Sequence, residues 1–453
     1  MQQYIDRLRM SLEGKPPGYQ INTYGCQMNA HDSEKIAGLL EECGFIAAAD
    51  DPDLILFNTC CVREHAEARV FGNVGALREK KRENPGLIVG LCGCMMQQEG
   101  MAETIRRRFP YVDIVFGTHN LDSLPRMLYH AMVEQKKGYE VSQDEQILEG
   151  LPMRRQGNRS AYLTIMYGCD NFCTYCIVPY VRGRERSRAM QDILNEAREL
   201  AEAGYKEITL LGQNVNSYGK DTGETDFSQL LRELDKIEDL EFIRFMTSHP
   251  KDLSDKLIRA LEDCKRVAPH VHLPVQSGSN KILAAMNRGY TSEAYRLLAR
   301  KLRAAVPNIC LTTDIIVGFP GETEQDFQDT LLLMKDLRFT AAFTFMYSPR
   351  SGTPAATMEN QIDKAVKKRR LWELNDLQEQ IIVEDSPSFI GKTLRILVDG
   401  VSARNGEMKG KAGNTKTVFF PGTDLLLGEV VDVKITDVRQ GSLVGEMVRK
   451  EQQ

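Results

Sequence analysis

Six of the eleven cysteines in this 453-residue chain stand where iron chemistry could be done. Cys169, Cys173 and Cys176 lie in YGCDNFCTYC, directly after the apolar run AYLTIMY, and Cys26, Cys60 and Cys94 follow YQINTYG, DLILFNT and LIVGLCG at two equal intervals of 34 residues. Three thiolates cannot complete the four-cysteine ligation of an ordinary cubane, so one iron stays open to an outside ligand. A structural zinc site wants a fourth ligand nearby, and the ferredoxin spacing C-x2-C-x2-C-x3-C is absent. The competing reading is buried core thiols. A repeated interval at successive strand ends argues against it, and we expect two open iron–sulfur clusters. Cys61 and Cys92 are rival ligands at the second and third positions of the first set. Cys43, Cys264 and Cys310 sit in apolar or helical runs and read as packing residues.

The elements that must position these residues fall into three segments. In the first, YQINTY, DLILFN, LIVGL and VDIVF alternate with helix-like stretches 32–43, 63–84 and 97–109, the pattern of a doubly wound parallel sheet. Successive strands of such a sheet end along a common edge, where ligands are held. Residues 138–159 lack a sustained period and read as a boundary. The second segment repeats apolar runs at AYLTIMY, EITLLG, FIRFMT, HVHLPV, TTDIIVGF and AAFTFMY, about six βα units of a partial or full β/α barrel. Its cysteines then lie at a strand's C-terminal end, where such barrels build their sites. After a long helix over 363–384, TLRILVDG, MKGKAGN, KTVFFPG, VVDVKITDV and LVGEMV are short strands split by turns, as in a small OB-like barrel. The expected domains are 18–140, 155–385 and 387–450, the last an appended binding module.

Bulk composition narrows the class. The start MQQYIDRLRMSLEG has no apolar signal core, and no segment offers the roughly 18 apolar residues of a membrane span, so a cytoplasmic protein with reduced thiols is expected. A net charge of −5 is nearly neutral for this size and does not suggest a wholesale nucleic-acid binder. Residues 153–188 nevertheless hold seven Arg and no Lys against Asp170 and Glu185, a stretch able to meet phosphates; a solvated basic surface is the bland alternative. Residues 387–453 carry ten basic against eight acidic side chains, only faint support for RNA.

Polar groups at other strand ends could hold an amino-acid moiety and an adenine. Gln213 and Asn214 follow EITLLG, Ser248 follows FIRFMT, Gln276 and Ser277 follow HVHLPV, and Gly318, Gly321 and Glu322 follow TTDIIV. Each could equally be a turn or cap. His249 and His272 also stand beside strand ends, and a hydrogen-bonded histidine is the favoured reading over a proton carrier.

The triplet at Cys169, with Tyr175 in the aromatic place of C-x3-C-x-aromatic-C, resembles the hallmark of the radical S-adenosylmethionine superfamily. There the cofactor's methionyl group chelates the open iron and the cluster's electron yields a deoxyadenosyl radical, while GFPGE resembles an adenine-contacting motif. Over nearly the whole chain TYGCQMN, NTC, GC, CDNFCTYC, LGQNVNSYG, SHP, HLPVQSGS and DIIVGFPGET resemble the methylthiotransferase family. TYGCQMN, CVRE and LGQNVN are most similar to the branch that makes 2-methylthio-N6-dimethylallyladenosine in tRNA. The resemblance implies two 4Fe–4S clusters, S-adenosylmethionine, a C-terminal RNA-binding TRAM barrel, an anticodon-loop adenosine as substrate, and an electron donor such as a flavodoxin or ferredoxin. The cluster at Cys26, Cys60 and Cys94 is then the sulfur source, and the one at Cys169, Cys173 and Cys176 generates the radical. Carbon 2 of adenine has no leaving group and no acidic proton, so hydrogen abstraction suits it where acid–base chemistry does not. Arg182, Arg184, Arg186 and Arg188 would meet phosphates or hold the cluster region. Two departures, the Cys60–Cys61 pair and Cys-Gly-Cys at 92–94, leave the ligand register open. Rival readings are a methylthiotransferase for threonylcarbamoyladenosine or for a ribosomal-protein aspartate, and a non-catalytic iron–sulfur RNA-binding or redox protein.

Overall fold

A computed structural model describes residues 1–12, 14, 16–61, 64–142, 146–155, 159–403 and 406–448, with no side-chain description for Glu64, His65 and Ala66. Val62 and Arg63 of CVRE and residues 143–145 and 156–158 of the expected boundary lie outside the described residues. The chain divides into two compact units. One comprises Met1–Gln156, Tyr167–Asp170 and Cys176–Arg186; the other comprises Gly157–Met166, Asn171–Tyr175 and Ser187–Gln453.

The first unit is built on six parallel strands, in the order Ile46–Ala47, Gly18–Thr23, Leu54–Thr59, Ile88–Gly93, Ile114–Phe116, Gly138–Glu140. Period two decides which helices each face receives. Leu54, Leu56, Ile88, Ile114 and Phe116 pack in one cluster with Ile36, Leu39 and Leu40 of helix Gln27–Glu42 and with Met127 and Leu128 of helix Leu124–Met132. Ile55, Phe57, Val89, Leu91 and Val115 pack in another with Val70 and Val74 of helix Glu64–Glu83 and Ile105 of helix Met101–Arg108. Both faces are covered, so the strands read as continuous apolar runs. This is the expected doubly wound sheet, with differences at its margins. The helix expected from residue 32 begins at Gln27, the one expected from residue 97 begins at Met101, and Gly138–Glu140, read as linker, pairs with Ile114–Phe116. A helix at Gln2–Ser11 adds Ile5 and Leu8 to the first cluster.

In the second unit six strands alternate with helices. Ser160–Thr164, Glu207–Leu211 and Phe242–Phe245 form one parallel set, and His270–His272, Cys310–Val317 and Ala341–Met346 another. A parallel bridge at Gln276 and Ile315 extends the second set at its C-terminal end. Ala161, Leu163, Ile208, Leu210, Ile243, Phe245, Val271, Ile315 and Val317 face the helices. The alternate residues Glu207, Arg244, His270, His272, Thr312 and Asp314 form the inner face of a partial β/α barrel. Helix Lys364–Asp385 covers the last strand from outside, with Leu371, Leu374 and Leu377 in the helical layer.

All five expected C-terminal strands are present, and they close a barrel: Thr393–Val401, Met408–Ala412, Thr417–Phe420, Ser442–Met447, Val430–Arg439. It is more than an appendage. Its 412–416 turn sits at the N-terminal end of the larger barrel's strands, where Arg244 Nη1 and Nη2 donate to the carbonyls of Gly413 (2.8 Å) and Ala412 (2.9 Å). Arg244 also pairs with Glu207 at 2.5 Å, both side chains buried. A Cβ on Gly413 would stand 3.3 Å from Pro269 and 3.5 Å from Phe242, so the contact is close enough to favour glycine. Among the described residues no helix is long and apolar enough to cross a membrane.

Candidate functional site

In the first unit each strand of the middle three hands the chain to a cysteine. Cys26 caps the N-terminus of helix Gln27–Glu42, Cys60 follows Leu54–Thr59, and Cys94 follows Ile88–Gly93. Asn29, one turn into that helix, ties the three ends together. Its Nδ2 donates to the carbonyls of Tyr24 (2.9 Å) and Thr59 (2.8 Å), while its Oδ1 lies 3.7 Å from Cys26 Sγ and 3.6 Å from Cys94 Sγ. Cys60 is brought in by Gly25, whose φ of +113° belongs to glycine; a Cβ there would fall 2.8 Å from Cys60 Sγ. Gly93 performs the same service at +92°, where a Cβ would meet Asn58 Oδ1 and Thr59 O.

A buried cation completes this group. Arg182 donates from Nε to Cys94 Sγ (3.1 Å) and from Nη2 to Asn29 Oδ1 (3.0 Å) and Asp32 Oδ2 (2.7 Å). Burial works against its charge, but Asp32, Cys94 and Cys26 outweigh that and hold its pKa well above the ordinary value. Cys94 is lowered, chiefly by a hydrogen bond from the Cys61 thiol and further by Arg182, against the effect of burial. Cys61, Cys94, Ile177 and Val181 share one small apolar cluster, so Cys61 stands close to the group. Cys92 points elsewhere, into the apolar layer with Ile36 and Leu39, and burial pushes its thiol up. Cys43, Cys264 and Cys310 are buried packing residues.

Among the described residues no three Cys, His, Asp or Glu side chains could share one metal ion. A cubane bonds each thiolate through a different iron and asks for wider spacing. Thiols around a shared amide, with a buried guanidinium as counter-charge, fit an anionic cluster on those grounds.

The second unit carries a different chemistry at its strand ends. Gln213 Oε1, Asn216 Oδ1, Ser248 Oγ, His249 Nε2 and Gln276 Oε1 are buried and have no hydrogen-bond partner among the described residues. Buried polar atoms are nearly always satisfied, so five such atoms on neighbouring strand ends mark a place for a polar guest. Thr247 and Gln276 add positive φ, 67° and 71°, at two of these ends, backbone strain that clusters at ligand sites. This donor and acceptor set fits an amino acid with an attached nucleoside.

The remaining expected residues are committed within the protein. Asn214 Oδ1 accepts the His249 N–H (3.0 Å), and its Nδ2 donates to Asp252 (2.7 Å). Asn216, two residues along the same QNVN run, is the residue the sequence reading missed. Ser277 Oγ accepts from the Ser279 N–H (3.2 Å) and contacts Thr330. Glu322 receives the Gly318 N–H and Arg370, both at 2.6 Å, and so holds the glycine turn in which Gly318 and Gly321 have positive φ. Tyr175 packs with Phe319 and Tyr347. His249 is held near a pKa of about 2 by burial, aided by Arg288, Lys251 and Lys220, so it is neutral at working pH. His272 bonds Thr312 at 3.0 Å and faces Asp314 at 3.4 Å.

Of the arginines expected to meet phosphate, Arg182 is enclosed as described, and Arg188 is buried against Glu196 (2.8 Å) and Thr164 O (2.6 Å). Arg184 is exposed and pairs with Asp170, and Arg186 donates to Arg182 O. The Cys169 N–H donates to Gly183 O at 3.1 Å.

Comparison with known proteins accords with this geometry. Residues 163–334 match the Radical SAM superfamily, whose members hold a 4Fe–4S cluster and S-adenosylmethionine; residues 18–117 match the uncharacterized protein family UPF0004, and 387–448 the TRAM domain. The solved radical S-adenosylmethionine methyltransferase TsrM from Kitasatospora setae shares the fold, with a TM-score of 0.54 at 16% identity over 76% of this chain and 74% of that one. The tRNA-2-methylthio-N(6)-dimethylallyladenosine synthase of Acetivibrio thermocellus is 52% identical over 441 residues, 96% of this chain and 92% of the relative. The protein of that name from Alkaliphilus oremlandii is 51% identical over 98% of this chain and 96% of its own length. At that identity and coverage, the chain belongs to the family of tRNA-2-methylthio-N(6)-dimethylallyladenosine synthases.

Proposed function

We propose that this protein places a methylthio group on carbon 2 of N6-dimethylallyladenosine beside the anticodon of tRNA, in the cytoplasm, with a flavodoxin or ferredoxin as electron donor. The observation that carries the reading is the match to relatives of that activity across all three expected segments, 18–140, 155–385 and 387–450, at about half identity. Cys169, Cys173 and Cys176 hold one 4Fe–4S cluster, and Cys26, Cys60 and Cys94 hold the second. When bound, the first cluster with S-adenosylmethionine supplies a hydrogen-abstracting radical, and the second supplies sulfur.

The chain's own residues orient and enclose. Gln213, Asn216, Ser248 and Gln276 would hold the cofactor through their unpaired atoms, and neutral His249 would offer it a hydrogen bond without a charge. Tyr175 and the turn from Gly318 through Gly321, fixed by Glu322 and Arg370, border the adenine. Arg182 balances the thiolates around Asn29, and the exposed Lys411 and Lys434 of the C-terminal barrel meet RNA phosphates.

Replacing each triplet by Ala tests the division of labour. Loss of Cys26, Cys60 and Cys94 should spare anaerobic deoxyadenosine release but abolish the methylthio nucleoside, whereas loss of Cys169, Cys173 and Cys176 should abolish both. Methylthio product from the first variant would refute the assignment, and mass analysis of tRNA nucleosides separates dimethylallyl from threonylcarbamoyl substrates.

A further inference from the structure

Arg288 was invisible in the sequence, yet it touches a proposed cluster ligand from 115 positions away. It lies on the turn after helix Asn280–Ala285, buried to 4%. Its Nη1 donates to Cys173 Sγ at 3.3 Å and lies 3.5 Å from the Tyr175 hydroxyl, and its Nη2 donates to Pro274 O at 2.8 Å. Nε donates to Tyr290 Oη at 3.0 Å, and that hydroxyl in turn donates to Val275 O at 2.9 Å. No carboxylate pairs with Arg288 among the described residues; the anionic group it faces is the Cys173 sulfur. The same cation fastens the strand end Pro274–Val275 immediately before Gln276, whose strained backbone presents an unpartnered side-chain oxygen.

We propose that Arg288 is a positioning residue that sets the reduction potential of the radical-forming cluster and locks the Cys173 thiolate to the Gln276 strand end. This rests on the cluster assignment above. A full positive charge hydrogen-bonded to a thiolate ligand stabilises the cluster more after it has gained an electron than before, so the midpoint rises. Arg182 on Cys94 is the corresponding contact in the first unit: each cysteine set has one enclosed guanidinium on one sulfur. The two are not equivalent, because Arg182 also pairs with Asp32, whereas Arg288 carries its charge undivided.

The experiment uses the full chain with Cys26, Cys60 and Cys94 changed to Ala, so that one cluster reports. After anaerobic reconstitution, iron per chain is measured and the midpoint is found by redox titration followed by electron paramagnetic resonance, without S-adenosylmethionine. Arg288→Gln should keep its iron and lower the reduction equilibrium by on the order of tenfold, about 59 mV for one electron. Arg288→Lys, which keeps the charge, should recover most of the shift. An unchanged midpoint in the Gln variant with full iron would overturn the proposal. If that variant loses the cluster, Tyr290→Phe decides: it removes the Nε bond that aims the guanidinium at Cys173 without altering charge, so the contact with the sulfur loosens, and a lowered midpoint supports the proposal while an unchanged one overturns it. Absence of iron from the parent of this series would instead refute the cluster assignment itself, so the two failures are separable.

Discussion

Arg244→Met should show that the C-terminal barrel is a structural part of the larger one. In the parent, Arg244 answers two buried acceptors, Glu207 at 2.5 Å and the Ala412 carbonyl at 2.9 Å, and the half-buried Gly413 carbonyl at 2.8 Å. Removing the guanidinium leaves the Glu207 carboxylate buried with, among the described residues, only Ser160 Oγ at 2.9 Å to bond it. Breaking a buried pair from one side costs about 3–5 kcal/mol, and the Ala412 carbonyl left dry adds about 1–3 kcal/mol. Even the lower end, roughly 4 kcal/mol, approaches the whole stability of a typical domain. Arg244→Met with Glu207→Gln removes the stranded charge, so the double variant should regain about 3 kcal/mol and be more stable than the single one, a coupling that independent sites do not show. Urea unfolding followed by circular dichroism reads the midpoints, and limited trypsin digestion reads release of the fragment after residue 387. A single variant as stable as the parent, or a double variant no better than the single, would refute the reasoning. The Glu207 pair lies within the larger barrel and lowers the urea midpoint in either case, so the trypsin readout is the one that an appended module would leave unmoved.

Two further outcomes follow from the same geometry. Gly25→Ala should cost the first unit its cluster, about half the total iron, because the new methyl would fall on Cys60; Gly100→Ala, with φ of 71° and open space around it, is the control that shares the backbone strain, and full iron in the Gly25 variant would contradict the convergence. Stability should fall with acid before most carboxylates titrate. Burial is the leading cause that depresses His249 to about 2 and His270 to about 3, so below the unfolded value of 6.5 the unfolded chain binds protons that the folded one refuses. Each histidine's contribution is complete above pH 6.5 and is lost at about 1.4 kcal/mol per unit as pH falls toward the folded values. Denaturation midpoints between pH 6.5 and 5.5 check this, and a flat profile would show that neither histidine is buried neutral.

The strands and the cysteine triplets were legible because each depends on neighbours in sequence. Leu54–Thr59 is apolar on both faces and announces a two-sided sheet, and the interval of 34 residues is one βα unit. Short edge elements were not legible: Ile46–Ala47 is exposed and Gly138–Glu140 half-buried, so neither carries an apolar pattern. Side-chain partnerships across the chain were hidden altogether. Arg182 reaches Asn29 across 153 positions and Asp32 across 150, so a residue that reads as one of a basic run turns out to be an enclosed counter-ion. The same distance effect concealed the tie between Arg244 and the C-terminal barrel.

What locates the cofactor site is a contrast inside one barrel. A closed β/α barrel fills its interior with branched aliphatic side chains. This inner face is polar, and toward the N-terminal end of the strands every group has an answer: Glu207 with Arg244, His270 and His272 sharing Thr312 Oγ1, and His272 facing Asp314. At the C-terminal ends the accounting fails, with Gln213, Asn216, Ser248, His249 and Gln276 each holding an atom that nothing among the described residues satisfies. Polarity alone would have pointed to the whole interior. Because an unmet buried polar group costs about 1–3 kcal/mol, five of them together are tolerable only where something else supplies the bonds. The satisfied half then serves as floor, and the unsatisfied half is where a ligand would find bonds to make, which is what supports the cofactor site proposed above.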